Sequence, residues 1–357
     1  MAIEKADRIA GATYGMAFGD SWGFPTEFLG HSDILKLRIL PPRPLQVTDD
    51  TQMSLYNIRA LREIFEAEAD LDSLASDTAQ QIRVRKLFAE QHLNFEDDED
   101  NNRAPGRTVM SALYVYRRSA KETGLEGSSP NSSKGCGTVM RAPWLGMLPL
   151  SRETVIALAI LQSETTHGHP QAALSSAIAA LVLREVFRGE LVLGGETPKD
   201  RLNSMLYAAL TLSAEVARLD SSLVSSEDFQ EGVRDFRETV HQILFELESE
   251  REERLIDPTE DICQWFGEGW VADQALLCAL GAFALHGEDG YGGIQRLVYS
   301  EGDSDSIAAI GGALFGAQLG YIAIEAQATE RKVRIRGAFE PRYERELVRA
   351  REFLGSL

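Results

Sequence analysis

The sequence predicts an all-α protein, on three observations. Apolar residues recur at helical spacing, convincing alternating strands are absent, and two stretches carry glycines in rows four residues apart. Phe229, Val233, Phe236, Val240, Ile243 and Leu247 step by three or four and trace one helical face. Ser225 and Ser226, ahead of Glu227 and Asp228, supply a plausible N-cap for that helix. Pro170 stands at the first position of another, expected over 171–188. Helices are also expected over 53–69, 155–162 and 272–285. The nearest candidate for a strand is 189–194, with Leu191, Val192 and Leu193 at its centre.

The glycine rows are Gly11, Gly15, Gly19 and Gly23 in one stretch, and Gly312, Gly316 and Gly320 in another. A helix-interior glycine costs about 1 kcal/mol relative to alanine. Such rows make sense where a neighbouring backbone approaches along that ridge, so both stretches are expected in the crowded centre of a bundle. The run 307–324 approaches membrane-span length. Gln318 and four glycines interrupt it and acids abut its start, which favours a buried central helix.

The chain has 357 residues, 44% hydrophobic and 25% charged, with a net charge of −19. That is ample for a core without staples. One domain over 1–357 is expected, since no loop is long enough for a domain linker. The acidic balance argues against a general nucleic-acid binder. Three scattered cysteines and an N-terminus with no signal-peptide pattern fit a reducing cytosol. The loops 94–103 (acidic) and 126–135 (polar) are legible, and the Arg- and Glu-rich stretch 330–357 reads as a solvated amphipathic helix.

Two short acidic motifs stand at helix starts: Thr48-Asp49-Asp50-Thr51 and Asp303-Ser304-Asp305-Ser306. Their carboxylates and hydroxyls suffice for two hard divalent cations, Mg²⁺ or Mn²⁺. Either motif alone reads more readily as a helix cap; the two together, with redundant acids, balance capping against metal binding. Asp20 and Glu27 lie in Gly19-Asp-Ser-Trp-Gly-Phe-Pro-Thr-Glu-Phe28. Asp20 fits a cap or turn pin; Glu27 fits a general base, a metal neighbour or a gate. In Ser133-Lys134-Gly135-Cys136-Gly137 the glycines could free backbone N–H groups for an anion, or simply form a tight turn. Cys136 has no legible partner as a nucleophile. Gly106 lies in a second such turn, 104–108. His167, in Thr166-His-Gly-His-Pro170, fits a ligand contact or a hydrogen-bonded helix entry.

Taken in order, these motifs resemble the ADP-ribosylglycohydrolase family. The resemblance runs through 19–28, 48–51, 104–108, 134–141, 166–170, the Gly269-Trp-Val-Ala-Asp-x-Ala-Leu stretch and 302–314, nearly the whole chain. It implies an orthogonal all-α bundle with a binuclear Mg²⁺ or Mn²⁺ cleft, the ligands being Thr48, Asp49, Asp50, Asp303, Asp305 and Ser306. It places Glu27 at the catalytic or gating glutamate, with Asp50 and Asp305 essential to turnover. Gly106, Ser133, Lys134, Gly135, Cys136, Gly137 and His167 fall where family members contact ADP-ribose. The implied reaction cleaves ribose C1″ from an arginine nitrogen, a serine oxygen or a small-molecule acceptor, with ADP-ribose as product. The implied partners are an ADP-ribosylated protein or small molecule; no membrane partner is expected, since 307–324 reads as a buried helix. A non-catalytic binder of ADP-ribose or of a modifying toxin is the alternative on this fold. Two residues depart from the pattern: Ser306 where many members carry threonine, and Glu301 where many carry glycine. The acidic run 96–100 is a candidate to overhang the cleft.

Overall fold

The computed structural model describes residues 3–67, 69–119 and 129–357. The polar loop 126–135 thus lies partly outside the described residues. The helices are α1 (Lys5–Gly23), α2 (His31–Leu37), α3 (Asp49–Glu66), α4 (Thr78–Glu96), α5 (Arg107–Ser119) and α6 (Arg152–Glu164). There follow α7 (Pro170–Arg188), α8 (Pro198–Ala217), α9 (Glu227–Glu248), α10 (Glu252–Ile256) and α11 (Cys263–Phe266). The last are α12 (Ala272–His286), α13 (Gly290–Val298), α14 (Ser304–Leu319), α15 (Tyr321–Glu330) and α16 (Pro341–Ser356). Among the described residues there is no strand, only two isolated bridges. The protein is all-α.

The glycine rows do what their spacing predicts. α1 and α14 lie against each other at the centre, backbone to backbone. A Cβ added at Gly15 would sit 2.2 Å from the carbonyl oxygen of Gly312, and one at Gly19 2.0 Å from that of Ala308. At Gly23 it would sit 2.5 Å from the Asp305 Cα. This contact brings the end of α1 to the start of α14. One hydrophobic core runs from Ile9 on α1 to Leu354 on α16 and buries α7 and α12 along most of their lengths.

The structure differs from sequence expectation in a few elements. The run 307–324 is not one helix: Gly320 takes φ +79°, and α14 and α15 meet at 111°. No single described helix is long and apolar enough to cross a membrane. Residues 189–194 form no strand, because nothing pairs with them. Instead Glu190 and Leu191 donate N–H groups back to the Glu185 carbonyl and close the end of α7. The expected loop at 94–103 begins late, since α4 continues through Glu96. The helix expected from residue 53 begins earlier, at Asp49. The predicted caps hold: the Ser226 hydroxyl accepts from Phe229 N–H, and Pro170 opens α7. In the 330–357 stretch, α16 is amphipathic, with Tyr343, Leu347, Ala350 and Leu354 buried.

Candidate active site

Helix starts and turns from distant parts of the chain converge on one cavity of about 660 Å³. Glu27 follows the short 3₁₀ turn at the end of α1, Asp49 and Asp50 begin α3, and Asp303 to Ser306 begin α14. Gly106, Gly135, Cys136, Gly137 and His167 complete much of the wall. Three expected residues stand back from it. Thr48 caps α3 and gives its hydroxyl to Asp20 Oδ1 at 2.6 Å. The Ser133 hydroxyl bonds to Thr108 and accepts from Gly135 N–H. Lys134 lines a separate surface cleft with Asp235 and Asp273.

The carboxylates form two overlapping trios. One oxygen from each of Asp20, Asp50 and Asp305 lies within 4.8 Å of the others, and the same holds for Glu27, Asp303 and Asp305. Burial is the main cause that raises the proton affinity of every one of them. Burial, then Asp303 and Asp20, push Glu27 up to about 8. Asp50 and Asp305 lie well above the usual carboxylate range, from burial and neighbouring acids. Glu27 Oε2 and Asp50 Oδ1 are buried and meet no hydrogen-bond partner. Buried oxygen atoms without donors are rare and call for a reason. A cluster of hard oxygen donors with bare lone pairs fits divalent cations.

Asp20 is the site's hidden brace. Its carboxylate accepts from the backbone N–H and hydroxyl of both Thr48 and Thr51, pinning the start of α3 to α1. Its membership of a trio was missed in sequence, because Asp50 and Asp305 lie far from it along the chain. Asp49 is outside both trios and accepts from Gly106 N–H at 3.3 Å, which ties the 104–108 turn to α3.

Two N–H groups of the glycine loop are already engaged. Gly135 N–H is taken by Ser133 and Cys136 N–H by the Trp270 carbonyl. A Cβ at Gly135 would lie 3.2 Å from His167 Nε2, and one at Gly137 3.3 Å from His167 Cε1. The glycines keep this imidazole clear. Burial and Arg141 push the His167 pKa down to about 3, so the ring is neutral. Thr166 Oγ1 accepts from Arg141 Nη2 and is hydrogen-bonded to His167 Nδ1 at 2.9 Å, which orients the ring. The Cys136 thiol donates to Asp303, and burial followed by that carboxylate raises its pKa well above normal, so it is no thiolate nucleophile.

Two further wall residues went unassigned in sequence: Phe28 and Trp270 stack at the cavity, ring centroids 5.2 Å apart. The acidic run 96–100 does not line the cavity. Arg117 holds Glu96 and Asp97, and Arg342 holds Asp98 and Asp100.

A buried carboxylate cluster at the head of a glycine-packed helix pair, on an all-α frame, defines a class. The sequence model of the ADP-ribosylglycohydrolases matches residues 1–351, and the chain belongs to that family of glycosyl-bond hydrolases. It is 25% identical to the ADP-ribosylhydrolase ARH3 of Danio rerio over 347 residues, covering 90% of this chain and 85% of that protein. It is equally 25% identical to the uncharacterized protein YegU of Escherichia coli (strain K12), covering 90% of each. A solved structure described as an ADP-ribosylglycohydrolase-related protein complex has the same fold. The TM-score is 0.62 at 22% identity, over 99% of both chains.

Proposed function

We propose that this chain is a metal-dependent hydrolase that breaks the bond between ribose C1″ of an ADP-ribosyl group and its acceptor, releasing ADP-ribose. The observation that carries this reading is the pair of bare buried oxygens, Glu27 Oε2 and Asp50 Oδ1, inside two carboxylate trios that open on one cavity. Asp50, Asp303 and Asp305 would hold two divalent cations, Mg²⁺ or Mn²⁺, with Thr48, Asp49 and Ser306 beside them. Bound there, such ions supply ribose-hydroxyl orientation, a more acidic water and charge that returns Glu27 to its carboxylate form.

The chain's own groups do the rest. Glu27 accepts the proton of a water whose oxygen bonds to C1″. The bond from C1″ to the acceptor breaks with its electron pair leaving on the acceptor atom, and Glu27 gives the proton it took from water to that atom. Positive charge that develops at C1″ faces the remaining carboxylates. His167 meets the ligand through Nε2 as a neutral ring, and the turn glycines leave it room. Among the described residues Arg107 is the one lysine or arginine in the cavity wall, and there it offsets the diphosphate. The test is release of free ADP-ribose from arginine-linked and serine-linked conjugates with Mg²⁺, Mn²⁺ or EDTA. Release that EDTA stops supports the reading. Binding of ADP-ribose without release from either conjugate would favour a non-catalytic binder.

A further inference from the structure

Arg141 lies behind the cavity wall, 1% exposed, and does not itself line the cavity. An arginine is almost never buried this fully unless a carboxylate pairs with it. Here every hydrogen bond of the guanidinium goes to a neutral oxygen. Nε donates to Gln162 Oε1 at 2.6 Å, and Nη2 to the Gln162 carbonyl and to Thr166 Oγ1, each at 2.8 Å. Nη1 donates to the Gly137 carbonyl at 2.8 Å. Among the described residues no carboxylate forms an ion pair with it. Burial pulls its pKa down to about 9, against the attraction of Asp49. Packing alone would be served as well by an apolar side chain, so the charge is kept for what its fork holds.

Two of the held groups shape the cavity wall. The Gly137 carbonyl fixes the turn whose missing Cβ keeps the His167 ring clear. Thr166 Oγ1 also meets His167 Nδ1 at 2.9 Å, so a single oxygen stands between the guanidinium and the imidazole. The charge acts on the ring as well, since burial and then Arg141 keep it neutral. From behind, Asn57 Nδ2 donates to the Arg141 carbonyl at 3.2 Å and to Gln162 Oε1 at 3.3 Å, and Asn57 Oδ1 meets His92 Nε2 at 2.8 Å. Asn57 belongs to α3, the helix that begins with Asp49 and Asp50. One buried joint thus fastens the His167 and Gly137 side of the wall to the helix that carries those aspartates.

We infer that Arg141 is a positioning residue for ligand binding: it reaches no substrate itself, and its fork sets the Gly137 turn and, through Thr166, the His167 ring against which ADP-ribose lies. The inference rests on the ADP-ribosyl reading and adds to it the group that holds its wall in place. Lysine is no substitute, because a compact ammonium lacks the rigid planar fork that spans Gln162, Gly137 and Thr166 at once.

The experiment measures ADP-ribose affinity by calorimetry, and kcat and KM on whichever conjugate wild type cleaves, arginine-linked or serine-linked, in saturating Mg²⁺. Thr166→Val removes the hydroxyl between guanidinium and imidazole and leaves the other three Arg141 bonds. It should weaken ADP-ribose binding and raise KM by about tenfold, the weight of one hydrogen bond to a charged group, with kcat within about threefold. Thr166→Ser keeps the hydroxyl and should stay within about threefold of wild type on every measure. Arg141→Lys keeps the charge and loses the fork, and should exceed Thr166→Val in the same direction. A merely structural role would leave fewer folded molecules. Apparent kcat would then fall while KM and the ADP-ribose Kd held, and that result overturns the inference. Equal losses in Thr166→Val and Thr166→Ser overturn it too. If Arg141→Lys does not fold, the Thr166 pair decides. Wild type that binds ADP-ribose but releases it from neither conjugate ends the hydrolase reading, and the Kd series still decides on Arg141. Wild type that binds no ADP-ribose ends both.

Discussion

Two buried aspartates of the cluster carry opposite structural burdens. Asp20 is hydrogen-bonded on both oxygens, whereas Asp50 Oδ1 has no partner. Asp20→Asn replaces one acceptor oxygen with a donor facing donors, which costs about 2–3 kcal/mol. For a chain of this length that is about 3–4 °C in Tm. Asp50→Asn removes like-charge repulsion without breaking a brace, so the metal-free variant should melt no lower than wild type. It should lose the metal response. Under the proposed reading, wild type with Mg²⁺ or Mn²⁺ at a hundred times Kd should gain about 2.7 kcal/mol, again about 3–4 °C. Differential scanning with and without metal checks both, and a full metal shift in Asp50→Asn would remove it from the ligand set. At this scale the sequence was only partly legible. The Asp-rich helix starts announced themselves by type and spacing. Asp20 read equally as a cap, because its true partners are set by the packing of α1 on α3. Ser133 and Lys134 shared a motif with Gly135, yet the turn sends their side chains elsewhere.

The helix pair α1 and α14 was the element most legible in advance, because a row of helical glycines loses stability at every step unless another backbone packs along it. Its consequence is mechanical. The pair holds Glu27 at one end of α1 and Asp303 to Asp305 at the adjoining start of α14. Gly15→Ala would place a Cβ 2.2 Å from the Gly312 oxygen, a backbone atom that cannot swing aside. Overpacking of this kind costs about 1–3 kcal/mol. Because the displaced helices carry the proposed reacting groups, kcat should fall by about tenfold or more at temperatures where the variant is fully folded. Gly30→Ala is the control, since nothing lies within 4 Å of its added Cβ. Equal activity in Gly15→Ala and wild type would uncouple the pair from the site. The break at Gly320 escaped a reading by hydropathy, which sees composition but not the direction a glycine turns the chain. The stretch 189–194 misled for a related reason: a short apolar run becomes a strand only where a neighbour offers a ladder.

For the whole molecule, what sequence could not supply was convergence: which helix starts share one cavity and which groups end up buried. Burial also sets how stability responds to pH. His92 is fully buried, its ring nitrogens bonded to Thr165 Oγ1 and Asn57 Oδ1, and burial, then Arg141, hold its pKa well below normal. The unfolded chain binds a proton there below about pH 6.5, and the folded chain refuses it. Stability is therefore present above pH 6.5 and lost as the pH falls, with a slope of up to about 1.4 kcal/mol per pH unit from this residue. The acidic cluster works in the opposite sense when it holds no metal. Its raised carboxylates bind protons more readily folded than unfolded, so they favour the fold at low pH and oppose it as the pH rises. Comparing wild type with His92→Gln in the same buffers cancels that contribution. Glutamine keeps a donor and an acceptor but cannot titrate. Urea unfolding from pH 7 to pH 5 should show the variant losing less stability than wild type by about 1–2 kcal/mol. Parallel curves would mean that His92 takes up its proton in the folded protein, against the burial that surrounds it.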